Sequence, residues 1–248
     1  MRRECIYAPI VWVLLFLSIG YGGTISHAQT ARQLIQIPTP ETNPPWISAR
    51  AAVLIDAHSG EVLWEKNAEQ RRDPASTTKI MTALLAIEDG QMDEPVVVSR
   101  RAASTPGSSM GLNEGDRYVL RDLLKGLLIR SGNDAAVAIA EHMAGSVEAF
   151  VAQMNTRASQ LDLRQTRFRN PHGLTAANHY SSALDLALLT MYAQRYPLFR
   201  ETVCTLEDEV CGINRHGQSI RTSLRNTNQL LFSYECADGV KTGTTSAA

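Results

Sequence analysis

The chain has 248 residues, 44% of them hydrophobic and 20% charged, with a formal net charge of −1. Those values fit a packed globular protein and exclude a disordered, collagen-like or coiled-coil chain. With no basic excess and only 6% aromatic residues, nucleic acid is excluded as the main partner, because phosphates would go unneutralised and bases unstacked.

The first element is a targeting segment. Met1–Arg3 is basic, Ile10–Ile19 is apolar, and Ser26–His27–Ala28 places small side chains three and one before a possible cut. That order of regions reads as a secretory signal peptide over residues 1–28. The apolar run is about half the ~20 residues of a spanning helix. Export to the periplasm or the extracytoplasmic face of the envelope is therefore expected. Residues 29–48, rich in proline, read as an exposed leader, and 49–248 as the folded part.

Export also decides how the cysteines read. Cys5 leaves with the signal, and Cys204, Cys211 and Cys236 remain. Cys204 and Cys211 flank an acidic stretch, Thr205–Val210, that reads as a hairpin loop, so they are the expected pair. No Cys/His spacing matches a metal site, and no metal is expected.

From Ala51 the pattern is extended. AAVLID, a turn at His58–Gly60 and EVLWEK predict a hairpin. Ser76–Glu88 predicts a helix closed by Gly90, apolar around most of its circumference and therefore buried. Pro95–Ser99 predicts a short strand. A helical block from Leu120 breaks at Ser131–Gly132–Asn133 and resumes until Gly145. Val147–Leu161 is amphipathic at helical spacing. Asn170–Gly173 predicts a turn, and Ser181 or Ser182 caps a helix through Arg195 that Tyr196–Pro197 stops. Strand and turn are expected from there to Gly243. Strands at both ends with helices between predict an α+β fold whose terminal strands share one sheet.

Three short motifs carry chemistry. In Ser76–Thr77–Thr78–Lys79 a hydroxyl and an amine three apart converge on one helix face. A serine hydroxyl becomes nucleophilic when a base takes its proton, and a lysine with a lowered pKa can be that base. The chain favours this reading by using only four lysines, Lys66, Lys79, Lys125 and Lys241, among its 24 basic residues. Arginine stays protonated and cannot substitute. Lys66 and Lys125 read as surface residues. Ser131–Gly132–Asn133 presents a hydroxyl suited to proton relay and an amide suited to a substrate carbonyl, although a cap pair explains it equally well. In Lys241–Thr242–Gly243, a strand with glycine at its closest approach lets a peptide lie alongside. Lys241 with the hydroxyls of Thr242 or Thr244 can hold a carboxylate, and the N–H groups of Thr244 and Ser76 can form an oxyanion hole.

In this order the trio resembles that of the serine/lysine enzymes that react with penicillin. The longer segments Pro74–Glu88, Ser108–Ser146, Phe168–Leu174, Ser182–Leu189 and Gly239–Thr245 resemble the low-molecular-mass penicillin-binding proteins, the serine-type D-Ala-D-Ala carboxypeptidases of peptidase family S11. The resemblance implies a β-lactamase/transpeptidase-like α+β fold: a five-stranded antiparallel sheet packed with helices, plus a helical lobe. It implies that Ser76 is the acyl-ester nucleophile, Lys79 the proton acceptor and Ser131 the proton shuttle. Asn133 would bond the substrate amide, and Lys241, Thr242, Gly243 and Thr244 would bind its carboxylate end. The implied partners are a peptidoglycan stem peptide, losing its terminal D-alanine through an acyl-enzyme, and β-lactam antibiotics as covalent inhibitors. No cofactor is required.

His172 reads as structural, with nothing to place it near Ser76, and Asp134 as a helix-start carboxylate. Arg169, Arg225 and Asp238 are further candidates to line the site. Three rivals remain: a β-lactamase, a D,D-endopeptidase and a non-catalytic peptidoglycan-binding protein. The Glu-x-x-Leu-Asn segment of class A lactamases is absent after Asn133. The resemblance also implies two more strands and a closing helix after Lys241–Gly243, lying between it and the N-terminal hairpin. Relatives further carry a second β-domain and a tail through which inner-membrane association is expected. A partial chain is therefore expected, and residues 29–248 alone should fold poorly and take up little penicillin, since the Lys241 strand lacks a neighbour.

Overall fold

A computed structural model describes residues 47–245. The expected signal peptide and almost all of the leader lie outside the described residues. The first elements are the antiparallel strands β1 (Ala52–Ile55) and β2 (Val62–Lys66). Their turn is fixed by Asp56, whose carboxylate accepts from the N–H groups of His58 and Ser59. A 3₁₀ turn over Ala75–Thr78 then leads into helix α1 (Lys79–Asp89), which Gly90 ends in the left-handed conformation at φ 76°. As its apolar circumference predicts, α1 is a core helix. Met81, Ala83, Leu84 and Ala86 have no exposed surface, and truncating a leucine in such a position costs about 2–5 kcal/mol.

Two more helices enclose it, α3 (Leu120–Leu128) and α4 (Asn133–Ala144); the short helix α2 (Arg100–Ala103) precedes them. The amphipathic stretch forms α5 (Val147–Gln160), started by the Ser146 hydroxyl accepting from Ala149 N–H, and buries Phe150 and Met154. Helix α6 (Ala183–Ala193) starts on Ser182 in the same way, with Asp185 N–H as donor. Among the described residues no single helix is long and apolar enough to cross a membrane.

Past α6 three expectations are corrected. Helix α6 ends at Ala193, two residues short of the expected Arg195, and Pro197 opens α7 (Pro197–Val203), because a proline at the first helical position loses no intrahelical bond. Next, the acidic stretch after Cys204 is not a hairpin loop but the start of β5 (Glu207–Ile213). Cys204 closes α7 and Cys211 lies within the strand, and extended chain keeps them apart. All three described cysteines are free. Finally, β5 does not join the N-terminal hairpin. With β6 (Ser219–Arg225) it completes a separate antiparallel sheet, in the order β3–β4–β5–β6, with β3 (Pro95–Val97) and β4 (Arg117–Val119). The pairing of Tyr118 with Gly212 explains the choice: a Cβ at Gly212 would sit 2.6 Å from the Tyr118 ring, so only glycine lets the ring lie across the strand.

After the short helix α8 (Leu230–Ser233), residues 239–245 form neither helix nor ladder among the described residues. In place of the expected five-stranded sheet the described residues form one of two strands and one of four, and the expected strand at Lys241–Gly243 has no ladder with the β1–β2 pair. A groove of about 920 Å³ separates the two, with Val53 and Ile55 of β1, Leu188 and Met191 of α6, and Val240 and Lys241 on its walls.

Candidate active site

Ser76 lies in the 3₁₀ turn and Lys79 is the first residue of α1, so one turn of backbone brings the two side chains together. Lys79 Nζ is 3.0 Å from Ser76 Oγ, 2.7 Å from Asn133 Oδ1 and 2.7 Å from the His172 carbonyl oxygen. Lys79 has no exposed surface. Burial, followed by the nearby Lys241 ammonium, brings its pKa down to about 6, while the Asp134 carboxylate acts in the opposite sense. At neutral pH the amine is therefore mostly uncharged, with two N–H bonds and one lone pair. Its two hydrogens satisfy Asn133 Oδ1 and the His172 carbonyl, which leaves the lone pair facing the Ser76 hydroxyl.

Each partner is held from behind. Asn133 opens α4; its N–H donates to Ser108 O and its Nδ2 to Pro106 O, both at 2.7 Å. Next to it, Asp134 is 1% exposed, and its carboxylate accepts from the N–H groups of Met110, Gly111 and Leu112 and from the Ser109 hydroxyl. The sequence reading of Asp134 as a helix-start carboxylate is right in position but incomplete, because it ties the 109–112 loop to the Ser131–Asn133 break. Ser131 is buried at φ 64°, a left-handed conformation that costs a non-glycine residue about 1–2 kcal/mol. Ala75, just before Ser76, has φ 48°. Strain at these two points flanks the serine–lysine contact between Ser76 and Lys79.

The sequence of residues 39–248 matches the model of the peptidase S11 family, D-alanyl-D-alanine carboxypeptidase. The chain belongs to this family. It is 43% identical to the D-alanyl-D-alanine carboxypeptidase DacF of Bacillus subtilis (strain 168), over 81% of this chain and 52% of that protein. It is 39% identical to DacC of Escherichia coli (strain K12), over 82% of this chain and 52% of that one. The chain thus spans about half the length of these two curated relatives. The crystal structure of the Streptomyces K15 DD-transpeptidase superposes with a TM-score of 0.79 at 33% identity, covering 84% of each chain. The α+β transpeptidase-like fold expected from the sequence is therefore the fold of this family member.

Within this family member the carboxy-terminal motif also meets the serine. A Cβ on Gly243 would lie 3.3 Å from Ser76 N and 3.2 Å from Ala75 Cβ, so the backbone of Gly243 rests on the turn that carries Ser76. Lys241 donates to Thr242 O at 3.0 Å, and Thr242 Oγ1 lies 2.7 Å from Thr227 Oγ1. Burial lowers the Lys241 pKa to about 8. Gly243 and Thr244 are exposed. Ser131 is not hydrogen-bonded to Ser76 or Lys79, although its neighbour Asn133 bonds Lys79 directly.

Sequence reasoning missed the third wall of the site. His172 does not stand apart from Ser76, as expected, because its carbonyl takes a hydrogen from Lys79. A backbone acceptor leaves no mark in residue identity, so this was unreadable. The loop is pinned by Thr82 Oγ1 donating to Pro171 O at 2.6 Å and by Asn170 Oδ1 accepting from Gly173 N. Gly173, at φ 92°, packs so tightly that a Cβ would sit 1.8 Å from Ala75 O. The Pro–His–Gly sequence signalled a turn; the positive φ and the contact with Ala75 explain why its last residue is glycine. The further candidates disperse. Asp238 lines the groove beside Lys241, Arg169 lines a different cleft, and Arg225 pairs with Glu207.

Proposed function

We propose that this protein is a serine D-Ala-D-Ala carboxypeptidase that removes the terminal D-alanine from peptidoglycan stem peptides. The observation that carries this reading is the fully buried Lys79 amine 3.0 Å from Ser76 Oγ, and its lowered pKa supports it as the base. Ser76 Oγ attacks the carbonyl carbon of the penultimate D-alanine while its proton passes to Lys79 Nζ. The oxygen that gains charge is met by the N–H groups of Ser76 and Thr244. Ser131 carries the proton on to the nitrogen of the departing D-alanine, and the C–N bond breaks. Water then cleaves the ester and restores Ser76. Asn133 Nδ2 orients the substrate amide, and the Lys241 ammonium with the Thr242 and Thr244 hydroxyls binds the terminal carboxylate. Gly243 keeps the approach to Ser76 free of a side chain.

The same geometry supports acylation of Ser76 by β-lactams, whose ring amide places a carbonyl and a carboxylate in comparable positions. The N-terminal 28 residues support export to the envelope, where such a substrate is found. The K15 neighbour is named a DD-transpeptidase, so the acceptor of the acyl group is the point to test. The complete gene product is incubated with a stem pentapeptide ending in D-Ala-D-Ala, with and without an amine acceptor. Release of D-alanine with formation of the tetrapeptide, both lost in Ser76→Ala, is the expected result. An amide product as the main species would make it a transpeptidase, and no serine-dependent turnover would refute the reading.

A further inference from the structure

A second cleft, of about 510 Å³, lies behind the loop that carries His172, and nothing in the proposed reaction uses it. It runs between α5, through Ser159, and the irregular segment 164–169, with Tyr180 closing one end. Its lining is cationic, since Arg164, Arg167 and Arg169 face a single acid, Asp162, which pairs with Arg164 at 2.9 Å. Arg167 and Arg169 form no ion pair among the described residues, in a chain whose net charge is −1. A fourth guanidinium, that of Arg71, lies over the Tyr180 ring at 4.5 Å.

The backbone makes this a built surface. Arg167 and Tyr180 exchange two main-chain hydrogen bonds, at 2.8 and 3.0 Å, and Arg169 N donates to His179 Nδ1 at 2.9 Å. Phe168 between them is fully buried, whereas Arg167 and Arg169 are exposed and both line the cleft. Two residues apart, their Cα atoms are separated by at most roughly 7 Å. Two unpaired guanidiniums at that spacing suit a ligand that carries carboxylates in a row.

We propose that this cleft binds carboxylates of the peptidoglycan strand that flanks the stem peptide at Ser76, holding the polymer while one chain end is cut. The proposal rests on the carboxypeptidase reading, and its test separates the two. The complete gene product is pelleted with purified sacculi from which hydrofluoric acid has removed phosphodiester-linked polymers. Penicillin acylation of each variant is measured alongside. Two exposed ion pairs together are worth roughly twofold to thirtyfold in affinity, so Arg167→Gln/Arg169→Gln should bind more weakly by that much at low salt, converging with wild type as salt screens the contact. Arg167→Glu/Arg169→Glu should bind more weakly still. Arg117→Gln/Arg215→Gln, an equal charge loss on the β4–β5 sheet, should bind as wild type. All variants should acylate normally. Unchanged binding in both 167/169 variants overturns the proposal, as does binding that disappears when the phosphate polymers are stripped. Loss of acylation in wild type would instead refute the carboxypeptidase reading.

Discussion

Replacing Lys79 by methionine separates the electrostatic cost of the buried amine from its chemistry. An unfolded lysine titrates at 10.5, whereas the folded Lys79 titrates at about 6. Between those values the unfolded chain binds a proton that the folded one rejects, so wild-type stability falls as pH drops from about 10 to 6. The slope is about 1.4 kcal/mol per pH unit. Below pH 6 both states are protonated and the penalty is constant. Methionine has similar length and no charge, so Lys79→Met lacks this slope. Lys241 titrates in both proteins and cancels from the difference. The acceptors left behind, Asn133 Oδ1 and His172 O, cost about 1–3 kcal/mol each if they stay dry. That offset does not change with pH, so the slope is the cleaner readout. Urea unfolding of both proteins at pH 6.5, 8 and 9.5 should give a stability difference that moves in favour of Lys79→Met by roughly 1.4 kcal/mol for each unit of acidification. Parallel curves would refute the claim that Lys79 is held neutral.

The rate of acylation by penicillin should be bell-shaped in pH. It should rise as Lys79 loses its proton near 6 and fall as Lys241 loses its charge near 8; a profile flat from 5 to 9 contradicts both roles. Gly173→Ala should destabilise the fold by about 3 kcal/mol or more, since a Cβ would collide with Ala75 O in a left-handed backbone, and thermal melting checks this. Asp134→Asn removes a charged acceptor from three backbone N–H groups and should cost about 2–4 kcal/mol in urea unfolding while slowing acylation through Asn133. Ser131→Gly should relieve the positive φ and raise stability by about 1 kcal/mol yet slow acylation, a split that a purely structural serine would not produce.

Much of this arrangement was legible in the sequence because its signals are local. The Ser76–Lys79 spacing, the break at Ser131–Asn133, the buried periphery of α1 and the caps at Gly90, Gly145 and Ser182 are each set by residues within a few positions of one another. What escaped depends on distant partners. The ring of Tyr118 selects Gly212 as its strand partner from almost a hundred residues away, and that pairing draws β5 and β6 into the sheet of β3 and β4. Cys204 and Cys211 do not pair because the charge in Thr205–Val210 that suggests a loop belongs to the wet face of a strand, whose alternation runs through Glu207–Ile213. The role of His172 lies in its carbonyl, which every residue type shares. Four lysines among 24 basic residues were the most useful global clue, since they marked where an amine rather than a guanidinium was needed.

The same scarcity permits a direct measurement. With lysine labelled by ¹³C at Cε in the complete gene product, the resonance missing from the Lys79→Met spectrum belongs to the amine beside Ser76, one of four that this sequence contributes. On titration that resonance should shift with a midpoint near pH 6, the value its burial and the neighbouring Lys241 impose. A midpoint near 10 would leave Lys79 charged at neutral pH, without a lone pair for the Ser76 proton, and would contradict the account.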